Sequence, residues 1–155
     1  SRPMLGTWRA PAAAVVLLAA VGAVGCGDLG RRYWTPTPDQ LAAAERIAKF
    51  HVLTNLSDQA GPQVLSKVTL AEDGLPREYP IAFTIGGTPY SRYRTKLWGG
   101  ITRGRRLIHV EYFDPNAVPD WERQDEPTAG FPAFFRVSVD VASGRTVSDS
   151  RSESR

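Results

Sequence analysis

One imidazole and one carboxylate stand two residues apart in the second half of the chain, at His109 and Glu111. Residues two apart on a β-strand share a face, so this pair has the composition of an acid–base pair or of half a metal site. A zinc site needs three or four protein ligands, and the other histidine, His51, belongs to a predicted helix. We expect Lys96 to engage Glu111 and Trp98 to stack near His109. The sequence therefore predicts no catalytic residue, no metal ligand and no cofactor, and a catalytic or metal role for His109 and Glu111 is the alternative.

Other motifs that carry chemistry are missing from the sequence. No serine lies in the Gly-x-Ser-x-Gly context of a hydrolase nucleophile. The glycine pairs at 86–87 and 99–100 lack the lysine and the strand-to-helix context of a phosphate-binding loop. The acids between Asp114 and Glu126 do not have the spacing of a calcium-binding EF-hand loop. These absences favour a binding function over an enzymatic one.

A second set of side chains has the composition of a binding surface. Six cations between Tyr90 and Asp114 are interleaved with aromatic residues. The candidate binding residues are Arg92, Arg94, Lys96, Trp98, Arg103, Arg105 and Arg106. Such a surface can bind a polyanion or an anionic membrane. The competing interpretation, which the opposite charges favour, is that the acidic segment from Asp120 to Glu126 folds over these cations and neutralises them.

These candidate residues are predicted to lie on a long β-hairpin that turns at Arg103-Gly104. A two-residue turn at this point fixes the register of the two strands. The predicted pairs are Thr102–Arg105, Trp98–His109, Leu97–Val110, Lys96–Glu111 and Thr95–Tyr112. A slip by one residue would destroy both the apolar and the charged pairs. Gly99 and Gly100 inside the first strand predict a bulge or a bend.

The segment that begins at Thr37 predicts a helix. Thr37 is a good N-cap, Pro38 suits the first helical position, and Gln40 stands at the capping-box position. Leu41, Ala44 and Ala48 then recur at helical spacing and give the helix one apolar face.

The remaining strands are predicted from alternation of apolar and polar residues. Val64–Leu70 and Ile81–Ile85 are expected to form strands on either side of a turn at Asp73-Gly74. Phe135–Val141 is expected to be the last long strand, followed by a turn and a short return through Val147. Residues 116–132 form a long loop with several prolines.

One capped helix followed by about five antiparallel strands predicts the α+β class, with the N-terminal helix packed on a curved sheet. This order is similar to a cystatin-like or NTF2-like roll, a likeness of fold that transfers no activity. Cystatins carry a Gln-x-Val-x-Gly hairpin, and the nearest stretch here, residues 63–67, lacks the correctly spaced valine and the glycine.

The N-terminal segment is the strongest signal for cellular location. The apolar run Ala12–Gly25 spans 14 residues, about 21 Å as a helix, against a hydrocarbon core of about 30 Å. Arg2 and Arg9 precede it and Cys26 follows it, the order of a secretory signal. The run Ala23-Val24-Gly25-Cys26 resembles the lipobox of a bacterial lipoprotein precursor, with alanine where leucine is usual.

This resemblance covers residues 1–26 alone. It implies that Cys26 is acylated with fatty acids such as palmitate, becomes the first residue after cleavage, and attaches the protein to a membrane of the cell envelope, on its periplasmic or other extracytoplasmic face. An ordinary secretory signal and an uncleaved anchor are the alternatives. Cys26 is the sole cysteine, so an intramolecular disulfide cannot form.

The predicted organisation is a signal peptide at 1–25, a linker at 26–36, one α+β domain at 37–149 and a disordered tail at 150–155. After residue 25 the chain holds 17 Lys and Arg against 16 Asp and Glu, too even a balance to indicate nucleic acid. The sequence thus predicts an exported, membrane-anchored lipoprotein whose domain binds a protein or an envelope polymer without catalysing a reaction. A small envelope enzyme using His109 and Glu111, and a binder of polyanions or anionic membranes, are the two alternatives.

Overall fold

A computed structural model of the chain describes residues 32–79, 82–125 and 127–147. The predicted leader, Cys26 and the predicted tail lie outside these residues. The strands are β1 (Arg32–Trp34), β2 (Thr84–Ile85), β3 (Thr88–Pro89), β4 (Arg94–Thr102), β5 (Arg105–Phe113), β6 (Phe134–Asp140) and β7 (Arg145–Val147). Helix α1 spans Pro38–His51, continues as a π-helical turn over Val52–Leu56, and is followed by 3₁₀ turns at Pro62–Lys67 and Tyr90–Arg92. Within the described ranges, no helix has the length and apolar character needed to cross a membrane.

The α+β class with one helix on an antiparallel sheet is confirmed. Five strands form an open sheet in the order β1-β4-β5-β6-β7, and β2 and β3 form a separate two-stranded hairpin. Helix α1 packs on β5, β6 and β7. The core between them includes Ala44 and Ala48 of the helix and Ile108, Val110 and Val137 of the sheet.

The predicted start of α1 is confirmed in its side-chain contacts. The backbone N–H of Gln40 donates to Thr37 Oγ1 at 3.2 Å, and the N–H of Thr37 donates to Gln40 Oε1 at 2.9 Å. This reciprocal pair satisfies two backbone donors that a helix N-terminus otherwise leaves free. Pro38 at the first position has no N–H to satisfy.

The predicted strand Val64–Leu70 is wrong. Residues 62–67 form a 3₁₀ turn instead, in which Val64 is buried and Leu65 is 48% exposed. Pro62 favours a helical turn, and Ser66 Oγ donates to the carbonyl of Gln63 at 2.7 Å. Leu70 makes only an isolated bridge to Pro76.

Of the predicted strand Ile81–Ile85, only its last two residues, 84 and 85, are extended as β2, and Ile81 lies outside the described residues. Gly86 and Gly87, at φ 55° and 83°, turn the chain into β3. Both values lie in the left-handed region that glycine adopts without steric cost.

The register of the β4–β5 hairpin is confirmed, and the turn lies at Arg103-Gly104. The prediction of a bulge at Gly99 and Gly100 is wrong, because the pairing continues without interruption through both residues. The absence of a side chain at these two positions instead allows Trp34 and His109 to approach the strand closely. A side chain on Gly99 would meet the Trp34 indole nitrogen at 2.8 Å, and one on Gly100 would meet Nε2 of His109 at 2.8 Å.

The linker predicted at 26–36 is too long at its C-terminal end. Arg32–Trp34 form the edge strand β1, with Arg32 opposite Ile101 and Trp34 opposite Gly99. Trp34 packs against the core and its indole N–H donates to the carbonyl of Leu107 at 3.0 Å. The folded domain therefore begins at or before Arg32 rather than at residue 37.

Candidate functional site

The sheet face that α1 leaves uncovered, here called the far face, carries most of the candidate residues. On β5 the core residues Ile108, Val110 and Tyr112 alternate with His109 and Glu111, which therefore point to the far face. Antiparallel partners share a face, so Trp98 and Lys96 of β4 belong to the far face too, as do Ser138 and Arg136 of β6. The far face thus holds two polar rows that run across the sheet.

The first row joins Trp98, His109 and Ser138. The rings of Trp98 and His109 have centroids 4.3 Å apart, which confirms the predicted stacking. Tyr33 of β1, 60% exposed, extends the row with its ring 5.7 Å from that of Trp98. His109 Nδ1 lies 2.7 Å from Ser138 Oγ, and both residues are buried.

The protonation state of His109 follows from this setting. Burial, followed by the positive charge of Arg136, lowers the pKa of His109 to about 4. The imidazole is therefore neutral at pH 7, and a neutral ring can accept the Ser138 hydroxyl proton or donate to the hydroxyl oxygen. A stacked and hydrogen-bonded ring in this state has a structural role that needs no ligand.

The second row joins Lys96, Glu111 and Arg136, and it corrects one prediction. Lys96 does lie opposite Glu111, but the carboxylate is bound by Arg136 on the other side. Arg136 Nη2 and Nε donate to Glu111 Oε2 at 2.6 and 3.1 Å. Lys96 Nζ donates to the carbonyl of Gln124 at 2.9 Å instead. Arg136 binds this carboxylate in preference to Lys96 because a guanidinium offers two N–H donors to one carboxylate.

His109 and Glu111 therefore share a face but contact different partners. Each has its own partner on β6, and in the described part of the chain no three of the residue types that bind metals lie close enough to hold an ion. Glu111 is 4% exposed and Ser138 5%. A substrate would reach neither without displacing the side chains that cover them.

The structure divides the seven candidate binding residues into two groups. Arg92 forms a two-pronged pair with Asp114 at 3.1 and 3.2 Å, and Arg105 binds Asp140 through Nε at 2.8 Å. Together with Lys96 and Trp98, these side chains are engaged within the domain. Arg94, Arg103 and Arg106 form no ion pair with any described residue, and all three are exposed.

The three exposed arginines do not form one patch. Arg103 and Arg106 lie at the tip of the β4–β5 hairpin, whereas Arg94 begins β4 at the opposite end of the sheet. Arg94 donates to two nearby backbone carbonyls, those of Arg92 and Tyr93. Arg106 places its guanidinium 5.3 Å from the Trp34 ring.

The expectation that the acidic loop neutralises the hairpin is wrong for the acids of this segment that the structure describes, and Glu126 lies outside the described residues. The loop does pack on this part of the sheet, through Gln124 and through Trp121, whose ring lies 6.0 Å from that of Phe113. Among the described residues, however, Asp120, Glu122 and Asp125 make no ion pair with the hairpin. In the part of the chain that the structure describes, the carboxylates paired with cations of the hairpin are Asp114 and Asp140, outside the acidic segment.

An open depression of about 390 Å³ lies between the hairpin tip and the β6–β7 turn. Its walls include Arg105, Arg106 and Asp140. Asp140 is buried and bonded to Arg105. The depression is therefore lined by one neutralised ion pair and by one exposed cation, Arg106.

The far-face residues that the sequence did not single out are Tyr33, Arg136 and Ser138. The predicted alternation of residues 135–141 already put Arg136 and Ser138 on one face. Their pairing with β5 needed the register across a long connection, for which the sequence carries no signal. Tyr33 was assigned to the linker.

Comparison of the chain with protein-family models, with curated proteins and with solved structures finds no match. The likeness to a cystatin-like or NTF2-like roll therefore stays a prediction. The fold and the far face define a small α+β domain with a satisfied polar sheet surface and a separate basic hairpin tip.

Proposed function

We propose that this protein is an exported lipoprotein, attached to a membrane of the cell envelope through acylated Cys26, whose α+β domain is a binding module and not an enzyme. The observation that supports the attachment most is the apolar leader that ends in the lipobox-like run Ala23-Val24-Gly25-Cys26. The segment between Cys26 and the domain is short. Five residues, 27–31, separate the cysteine from β1. At about 3.5 Å per residue the span from Cys26 to Arg32 is at most about 21 Å.

A tether of this length keeps the domain at the membrane surface. Each buried CH₂ of an acyl chain contributes about 0.8 kcal/mol to membrane binding, and two or more chains make the attachment stable. The domain needs no membrane-spanning segment of its own in this arrangement.

The non-enzymatic part of the proposal is supported by the satisfied far face. His109 is neutral and bonded to Ser138, and Glu111 is neutralised by Arg136. An imidazole whose pKa is about 4 is a weak base at pH 7, and the low exposure of Glu111 and Ser138, 4% and 5%, keeps a substrate away from them. On the hairpin, the exposed cations that form no ion pair with a described residue are Arg94, Arg103 and Arg106, and arginine suits recognition of an anionic partner.

Metabolic labelling tests the attachment. Bacterial cells that express the full chain are grown with an alkyne analogue of palmitate, fractionated, and the protein is probed for the alkyne. We expect labelled protein in the membrane fraction, and no label on a Cys26→Ala variant. Gly27→Ala, which keeps the cysteine, is the matched control and should be labelled like wild type. Unlabelled wild-type protein in the soluble cytosolic fraction would contradict the proposal.

A further inference from the structure

We infer that the tip of the β4–β5 hairpin is a membrane-contacting surface that binds anionic phospholipid headgroups and sets the orientation of the tethered domain. This inference rests on the proposed attachment through Cys26. It adds which surface meets the bilayer and which lipid class that surface recognises. The surface consists of Arg103, Arg106 and Arg145, and is called the basic end below.

The position of the tether comes from the register of β1. Arg32, the first described residue, lies opposite Ile101 on β4. Two residues beyond Ile101 the chain reaches Arg103 at the hairpin turn, about 7 Å further at ~3.3 Å per residue. The chain that leads back to Cys26 therefore leaves the sheet beside the hairpin tip. Of the two ends of the sheet, this one is held nearer to the lipid.

The basic end is several strands wide. Arg106 of β5 lies opposite Ile101 of β4, and Arg145 of β7 lies opposite Asp140 of β6. With strands about 4.8 Å apart, the arginines from β4 to β7 span about 14 Å across this end of the sheet. Arg103, Arg106 and Arg145 are all exposed.

The charge of this end is not cancelled within the domain. Asp140 is the acid found here among the described residues, and it is buried and bound by Arg105 through two N–H groups. Arg103, Arg106 and Arg145 form no ion pair with any residue that the structure describes. The opposite end of the sheet is different, because Asp114 binds Arg92 there and the acidic loop packs nearby through Trp121 and Gln124.

Three uncompensated arginines within reach of a bilayer favour contact with negatively charged lipids. A cation near an anionic membrane surface gains about 1 kcal/mol, a factor of about five in the binding constant. Three such cations together favour the docked orientation on an anionic bilayer by about 100-fold relative to the same orientation on a neutral bilayer. The attraction falls off over about 8 Å at physiological ionic strength, and a tether of at most about 21 Å keeps the domain close enough to enter this layer.

The single cysteine makes this orientation measurable in the full-length protein. Acylation of Cys26 converts its thiol to a thioether, so a Thr102→Cys variant of the lipoprotein has one free thiol, at the exposed basic end. Ser91→Cys places the same thiol at an exposed position near the start of β4 and is the matched control. Each variant is labelled with an environment-sensitive fluorophore and reconstituted in vesicles that contain nitroxide-headgroup lipids.

Vesicles of phosphatidylcholine with 30% phosphatidylglycerol should quench the label at residue 102 at least twofold more than the label at residue 91. This difference should shrink on pure phosphatidylcholine, at 0.5 M salt, and when Arg103, Arg106 and Arg145 are all replaced by glutamine. Arg94→Gln with Arg123→Gln, which removes cations away from the basic end, should leave the difference intact.

Two outcomes separate this inference from the proposed function. Equal quenching at residues 102 and 91 on anionic vesicles, with one label per chain, would overturn the membrane-contacting surface while leaving the anchor in place. Two labels per chain would show that the Cys26 thiol is free and would overturn the attachment itself. A difference that is unchanged by the three glutamine substitutions would also overturn the inference, because tethering alone would then explain the orientation.

Discussion

The buried pair between Arg136 and Glu111 gives the sharpest test of the far face, through the substitution Arg136→Met. Glu111 is 4% exposed, and Arg136 directs both of its hydrogen bonds to one oxygen of this carboxylate. Methionine keeps much of the side-chain volume and removes the charge. Breaking a buried ion pair on one side costs about 3–5 kcal/mol because the remaining charge is left without a partner.

The expected loss lies at the lower end of this range. The Arg136 side chain is 29% exposed, and Lys96 lies on the other side of Glu111, where it can offer partial compensation. We therefore expect Arg136→Met to lower the free energy of unfolding by about 3 kcal/mol at pH 7. Urea unfolding followed by circular dichroism measures this loss.

A double variant distinguishes lost pairing from lost packing. Glu111→Met combined with Arg136→Met removes both charges, and exchange of a buried pair for apolar side chains is often neutral. The double variant should therefore be about 2 kcal/mol more stable than Arg136→Met alone. Arg46→Met, at an ion pair whose two side chains are 49% and 48% exposed, is the control and should leave the urea midpoint nearly unchanged.

Two results together would show that the Arg136–Glu111 pair does not stabilise the far face. One is a loss of less than about 1 kcal/mol for Arg136→Met, where the expectation for a broken buried pair is about 3. The other is a double variant no more stable than the single one. The far face would then not depend on the pairing of its charges.

Two further predictions concern His109 and Gly99. The pKa of His109 is about 4 in the folded protein against 6.5 for the free side chain, so between these values the unfolded state binds more protons and stability falls as the pH is lowered. From pH 7 to pH 5, wild type should lose roughly 1–2 kcal/mol more than His109→Gln, a range that allows for solvent screening; equal losses in urea unfolding would exclude this role. Gly99→Ala should cost about 1–3 kcal/mol and shift the fluorescence of Trp34 to the red, because the added methyl group meets the backbone carbonyl oxygen of Trp34 and, at 2.8 Å, its indole nitrogen. Gly130→Ala, which meets no atom within 4 Å, is its control, and equal stability of the two variants would contradict the close-approach explanation.

The parts of the fold that the sequence predicted well are those fixed by neighbouring residues. The register of the β4–β5 hairpin follows from its two-residue turn, in which Arg103 and Gly104 have φ of 52° and 75°. Likewise, the start of α1 follows from side chains three residues apart. Local geometry of this kind leaves few alternatives, so pattern and structure agree.

The parts that it predicted poorly depend on distant contacts. Strand β1 has three residues, and its place is set by Trp34, which packs against β4 and donates to Leu107 more than seventy residues away. The alternation at 64–70 resembled a strand, but none of the strands in the described ranges pairs with it, and Pro62 starts a 3₁₀ turn. Alternation of apolar and polar residues predicts which side chains are buried more reliably than it predicts the backbone conformation.

The candidate site shows the same division between local and distant contacts. The pairs of Trp98 with His109 and of Lys96 with Glu111 were predicted because both lie within the hairpin. The partner of Glu111 was wrong because Arg136 arrives on β6, after a connection of some twenty residues whose register no turn fixes. The sequence identified two arginines of the proposed basic end, Arg103 and Arg106, and missed Arg145, which joins it through β7.

The mass of the intact protein extracted from membranes with detergent is the decisive measurement for the attachment, because it reports cleavage and acylation together. We expect the mass of a chain that begins at Cys26, increased by the mass of the attached lipid, and after mild alkaline hydrolysis a loss of the ester-linked acyl chains alone, which leaves the glyceryl thioether and any amide-linked chain on Cys26. A product that retains residues 1–25, or one that begins near Cys26 with an unmodified thiol, would contradict the attachment.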